Sequence, residues 1–306
     1  MPLAVHARMA MLARQPPIFV IDGSTVGRGC MGLLISGLSQ RRALPITWAA
    51  AAGRTGHLPQ LRQCALLERL ARFVPADAAV TILGNGAYDR TDGHAAITAR
   101  GRQDVGRTAS DILLTIGESA IAMRDRAPRR GAIVAVEQSR MTAAQDGPVH
   151  ALAVWDAADE RPIYLVTTHV DLKHAPALYR RRAPIETSFL DQKRRGVRIN
   201  RSRLSDPALL ARLLIATTLV YPWVVSLEVV ARRDAVRGRI HRLDRCDLRP
   251  FSPGLRLLAY GLRHQRTIPR GLPKPLVLAQ QHALKSSVSF SGIGRPFSRR
   301  AFLISP

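Results

Sequence analysis

The sequence predicts an α/β chain, a mixed sheet flanked by helices, with a β-rich insertion ahead of its last functional helix. Three observations carry this. A short apolar run, Ile18 to Ile21, stops at Asp22 and is followed by glycine; the patterns after it read strand, strand, helix, strand; and a helical stretch near residue 186 sets one acid among cations.

The elements follow in order. Ile18-Phe-Val-Ile-Asp22 reads as a strand ending at its acid, and Met31 to Ile35 and Leu44 to Ala49 read as two more strands. From about Leu58 to Phe73 a helical period places Leu61, Ala65, Leu66 and Leu70 on one face. Ala79 to Leu83 is again strand-like, and the chain leaves it through Gly84-Asn85-Gly86. Residues 1–94 are therefore expected to form the first part of a core domain. Residues 95–149 are expected to be a β-rich insertion, with candidate strands at Ile112 to Ile116 and Gly131 to Val136 between loops of Arg, Gly and Pro.

Residues 150–235 would return to the core. Leu152 to Asp156 and Pro162 to Thr168 look like a hairpin, with Trp155 expected in the core. Pro184 biases Ala183 away from helix, so a kink or a fresh helix start is expected there, and Gly196 is expected to end the helix that follows. Ser205-Asp206-Pro207 reads as the next helix start, with Ser205 as N-cap. Leu213 to Leu227 is uncharged but short for a membrane span and contains Pro222, so it is expected to be a buried helix. Residues 236–306 hold 14 Lys and Arg against 2 acids and are expected to be a loosely folded basic tail.

Composition narrows function. The 306 residues are 46% hydrophobic, enough for a packed core, and 46 Lys and Arg against 22 Asp and Glu leave a formal charge of +24. Such an excess repels itself unless a polyanion takes it up, which points to nucleic acid. Cys30, Cys64 and Cys246 have no paired spacing, which argues against a zinc knuckle or disulfide framework and suits a reducing cytoplasm. No export signal is read in Met1 to Arg14.

The densest chemistry lies in Tyr179-Arg-Arg-Arg182-Ala-Pro-Ile-Glu186-Thr-Ser-Phe-Leu-Asp-Gln-Lys193. On a helix Glu186 and Lys193, seven residues apart, share a face within about 20°. The spacing Tyr-(x2)-Arg-(x3)-Glu-(x6)-Lys resembles that of DDE transposases of bacterial insertion sequences, the insertion-sequence-four type. The strand order is similar to that of the ribonuclease H-like fold, in which acids on the first and fourth strands converge and a later helix delivers a third.

That resemblance implies a DNA transposase: metal-dependent phosphoryl transfer that cleaves and joins DNA strands, with two Mg²⁺ or Mn²⁺ ions held by two Asp and a Glu. Asp22 and Glu186 match as metal ligands. Asn85 stands at the second Asp position, where an amide offers an oxygen but no charge. Asp89 and Asp92 are close in sequence but displaced from the strand end. Tyr179, Arg182 and Lys193 match as contacts to DNA phosphates. Double-stranded DNA is the implied partner, bound by a homodimer on DNA ends, with no membrane. Only 21 residues precede Asp22, so an N-terminal DNA-end reader is expected to be missing, and a DNA-binding remnant is the alternative to an active enzyme.

Overall fold

A computed structural model describes residues 16–39, 41–53, 58–86, 91–142, 145–232, 234–240, 251–269 and 302–305. Ile18–Gly27 (β1), Cys30–Ser39 (β2) and Arg42–Ala52 (β3) form an antiparallel meander. Gln60–Ala71 (α1) then crosses to Thr81–Gly84 (β4), which lies parallel to β1, and Thr91–Thr98 (α2) leads to Gln103–Thr108 (β5), parallel to β4. Connections carrying a helix are what parallel neighbours require.

The expected insertion continues the same sheet. Leu113–Ile116 (β6) and Ser119–Ala122 (β7) pair at its far edge, and Ile133–Met141 (β8), Asp146–Val154 (β9) and Ile163–Thr167 (β10) lead back antiparallel to β5. The order is β3-β2-β1-β4-β5-β10-β9-β8-β6-β7, with Phe302–Ser305 (β11) parallel to β8. The chain has a ribonuclease H-like α/β fold. The predicted hairpin is present, but Trp155 is only half-buried, because its indole N–H reaches the Asp159 carbonyl at 3.2 Å on the turn.

Alternation along β1 fixes which side chains meet which helices. Phe19 and Ile21 pack with Leu66, Leu70 and Ile97 under α1 and α2, while Val20 packs with Leu83, Ile185, Phe189 and Leu214 on the opposite face. With a period of two, Asp22 must join Val20's face. In α1 the buried residues are Gln63, Leu66, Leu67 and Leu70, whereas Leu61, expected on that face, is 81% exposed. The helix starts at Gln60, and its apolar stripe is set by Leu66 and Leu70, on which Leu61 is out of phase.

Ala175–Arg180 (α3) precedes Pro184–Leu190 (α4), which opens at Pro184, but Ala183, expected away from helix, keeps helical dihedrals (φ −47°, ψ −34°), because tight turns from Arg180 to Glu186 carry the chain from one helix into the next. Pro207–Ala231 (α5) is capped by Asp206, whose carboxylate accepts from the Ala208 N–H at 2.7 Å; Ser205 is one residue too early. By length and composition α5 is apolar enough to cross a membrane, and half of its most apolar window is buried inside the protein. Leu210 and Leu214 enter the core, and Trp48 donates to the Ala211 carbonyl. Asp234–Ile240 (α6) follows. Within the basic C-terminal stretch, Phe251–Arg263 (α7) packs against α5: a Cβ on Gly254 would lie 2.1 Å from the Val224 carbonyl oxygen, so only glycine permits that approach. Cys246 and Asp89 lie outside the described residues.

Candidate active site

β1 does not stop at Asp22 but continues to Gly27, so the acid stands inside a strand, 5% exposed. One carboxylate oxygen, Oδ1, accepts from the Gly23 N–H at 2.8 Å. Because β4 runs parallel to β1 with Ile21 opposite Gly84, the next residue, Asn85, comes level with Asp22. Its side-chain amide donates to the same Oδ1 at 2.6 Å. Register alone thus sets the two side by side. Asp92 lies in α2.

The third expected residue arrives on α4. Glu186 is in the first turn, where the helix dipole favours a carboxylate. In the turn before it, Arg182 reaches both acids: Nη2 lies 2.7 Å from Glu186 Oε1 and Nη1 3.4 Å from Asp22 Oδ2. Its Nε donates to the Tyr179 hydroxyl at 3.1 Å, and its guanidinium carbon sits 5.5 Å from the Tyr179 ring. Tyr179 is buried, so it orients Arg182 from within the core. All three nitrogens of this guanidinium have partners in the site.

Lys193 completes the group by a route the sequence did not reveal. After α4 the chain passes without a break into a π-helical turn, Asp191–Arg195, which ends at Gly196. Asp191 and Gln192 turn inward and are buried; the Tyr221 hydroxyl donates to Asp191 Oδ2 at 3.4 Å, and Gln192 donates to Ser188 Oγ at 3.2 Å. The widened turn aims Lys193 at Ser24, two residues beyond Asp22, and its ammonium donates to the Ser24 hydroxyl. Such turns favour functional positions.

Electrostatics follow from burial and proximity. Burial pushes the Asp22 carboxyl above its usual range, although Arg182 and the Gly23 N–H pull it back, and Glu186 adds to the rise. The Lys193 ammonium is held below its usual value, first by burial and then by Arg194, with Asp22 opposing. Burial works against the Arg182 cation, but Tyr179, Asp22 and Glu186 outweigh it and hold the group above its usual value.

The donors suit a hard cation in kind but not fully in charge. Two carboxylates and an amide converge, all oxygen-bearing, and a half-turn of the Asn85 amide would present its oxygen in place of its N–H. Among the described residues no group of three or more His, Cys, Asp or Glu side chains gathers at one point. To a divalent ion the set would offer one negative charge fewer than three carboxylates would give.

A sheet in this order, with an acid on its first strand beside the end of its fourth and another acid on a covering helix, defines a ribonuclease H-like class. The chain belongs to the transposase DDE domain family, whose model matches residues 13–223. Members of that family use divalent metal ions. No curated protein sequence matches the chain. Among solved structures it is similar to the piggyBac transposase synaptic complex with hairpin DNA, at 12% identity and a TM-score of 0.40, covering 88% of this chain and 52% of that one. The chain thus spans about half the length of that relative. It is also similar to human ENDOV, at 12% identity and a TM-score of 0.30, covering 61% of this chain and 90% of that one.

Proposed function

We propose that this chain is the catalytic domain of a DNA transposase, cleaving and joining DNA strands by phosphoryl transfer, with double-stranded DNA as substrate and a homodimer on the DNA ends. The observation that carries the reading is the single Arg182 guanidinium joining Asp22 to Glu186, with Asn85 and Lys193 beside it. The closeness of these side chains, in a chain that the family model matches over residues 13–223, supports this reading.

Phosphoryl transfer is chiefly positioning and charge neutralisation. Asp22 and Glu186 would hold Mg²⁺ or Mn²⁺, with Asn85 lending a neutral oxygen. When bound, the ions stabilise charge on the attacking and leaving oxygens. Arg182 presents a planar fork that matches a phosphate as well as it matches the two acids, so an incoming phosphate competes for it and frees the carboxylates. Tyr179 holds that fork in orientation. Lys193 brings a point charge to a phosphate lying over Ser24. Wild-type protein should nick supercoiled plasmid in Mn²⁺, and Glu186→Gln should not. Equal nicking by the two would overturn the proposal.

A further inference from the structure

Beyond Lys193 the chain reads Arg194-Arg-Gly-Val-Arg198-Ile-Asn-Arg201-Ser-Arg203, five arginines in ten residues. A solvated basic loop would need no fixed backbone, yet this one is held at successive points. Gly196 packs so closely on α7 that a Cβ would sit 2.3 Å from Phe251 Cε1. Ile199 is 2% exposed, inside the core shared by β1 and α5. Leu204 accepts from the Arg28 N–H at 2.8 Å, and Ser205 accepts from the Cys30 thiol at 3.1 Å. Between these anchors Ile199–Ser202 forms a 3-10 turn.

The residues flanking that turn are strained. Arg198 has φ 54° and Arg203 φ 56°, left-handed conformations that an ordinary side chain adopts only at a cost. Either position would be filled more cheaply by glycine or asparagine. Arg194, Arg198, Arg201 and Arg203 are exposed, and none makes an ion pair or side-chain hydrogen bond with the described residues. The arm starts at Lys193 in the site and rejoins β1 beside exposed Arg28. It thereby runs along the part of β1 that continues past Asp22, about 10 Å from Ser24 to Gly27.

We propose that Arg198, Arg201 and Arg203, together with Arg28, form a phosphodiester-binding arm that holds duplex DNA beyond the Asp22–Glu186 site. This contact set is separate from Tyr179, Arg182 and Lys193. It rests on the DNA reading above and adds the direction in which the duplex leaves the site: along β1 toward the β1–β2 turn. Guanidiniums carried on an anchored backbone, with no acid among the described residues to satisfy them, match a row of phosphates, which position a duplex without reading its sequence.

The test measures affinity of the full chain for a labelled duplex a few helical turns long, at salt concentrations between roughly 50 and 200 mM. The variant is Arg198→Gly/Arg201→Gln/Arg203→Gly, in which glycine accepts the left-handed backbone. Its log–log salt slope should fall by about 2 to 3, at about 0.9 per lost phosphate contact, while the three Arg→Lys changes together keep the slope near wild type. Should the triple variant not fold, Arg201→Gln alone should lower the slope by about 0.9. An unchanged slope in the folded variant overturns the arm. Arg182→Ala/Lys193→Ala, run beside it, tests the site: a slope lowered only there leaves the site reading and removes the arm, and a slope lowered only in the arm variant does the reverse. Single-stranded RNA that binds as tightly and as steeply as the duplex overturns the assignment to duplex DNA.

Discussion

Arg182 and the arm arginines are the same residue type in opposite situations. Arg182 has every nitrogen engaged, on Asp22, Glu186 and Tyr179, and is largely buried. Arg198, Arg201 and Arg203 are exposed and have no acid opposite them among the described residues, on a backbone held in strained geometry. The first must give up protein partners to meet a phosphate; the others give up only water. The difference teaches that a net charge of +24 is not one property. Part of it balances acids inside the protein, and part is displayed to solvent.

The comparison breaks most sharply at the arm's anchor. Gly196→Ala forces a Cβ into the Phe251 ring and should cost about 3 kcal/mol, read from urea unfolding. It should also weaken DNA binding although no charge is removed. Binding unchanged in a folded Gly196→Ala protein would mean that the arm's position does not matter.

Arg182→Ala comes next. Removing the shared partner of two acids, one of them buried, should cost about 2 kcal/mol at neutral pH. Adding Asp22→Asn should recover most of that loss, since the unpaired buried charge goes with it. Arg201→Ala on the arm should instead stay within about 0.5 kcal/mol of wild type. Equal losses from Arg182→Ala and Arg201→Ala would erase the distinction between paired and displayed arginines.

How far these features can be read in the sequence depends on whether a local rule governs them. The apolar run ahead of Asp22, the level position of Asn85 and the helix opening at Pro184 follow from strand period, parallel register and proline's missing N–H, although Ala183 keeps the helical dihedrals that the proline ring disfavours. The continuation of β1 past Asp22 was not legible, because Gly23-Ser-Thr reads as a turn but pairs with Leu33, Gly32 and Met31 of β2. Nor was the π turn, which answers to Asp191 and Gln192 packing inward against Tyr221 and Ser188, a tertiary demand. The arm was hidden for a further reason. Its left-handed positions carry arginine, so the usual Gly or Asn signal is missing, and its charges resemble those of any solvated basic stretch.

A smaller effect concerns pH. Burial raises the Asp22 carboxyl above 3.8, so the folded metal-free protein holds that proton over a wider range than the unfolded chain does. The contribution of Asp22 to stability should therefore fall as pH rises from about 3.8 through the raised value. Asp22→Asn removes this loss. It should melt higher than wild type at neutral pH, with the advantage vanishing below pH 3.8, in thermal scans with chelator present. A lower melt at neutral pH would show that the pairing with Arg182 outweighs the burial of Asp22.

The measurement closest to the central claim is made at Asn85. Its amide donates to Asp22 from the place where a third carboxylate would complete the site. Asn85→Asp keeps the size and adds the charge, so it should tighten Mn²⁺ binding in calorimetry at least tenfold, equivalent to about 1.4 kcal/mol, and should nick supercoiled plasmid faster than wild type. Glu186→Gln should abolish nicking in both backgrounds. Equal Mn²⁺ affinity and equal nicking by wild type and Asn85→Asp, both lost on Glu186→Gln, would contradict the claim that position 85 limits the metal site.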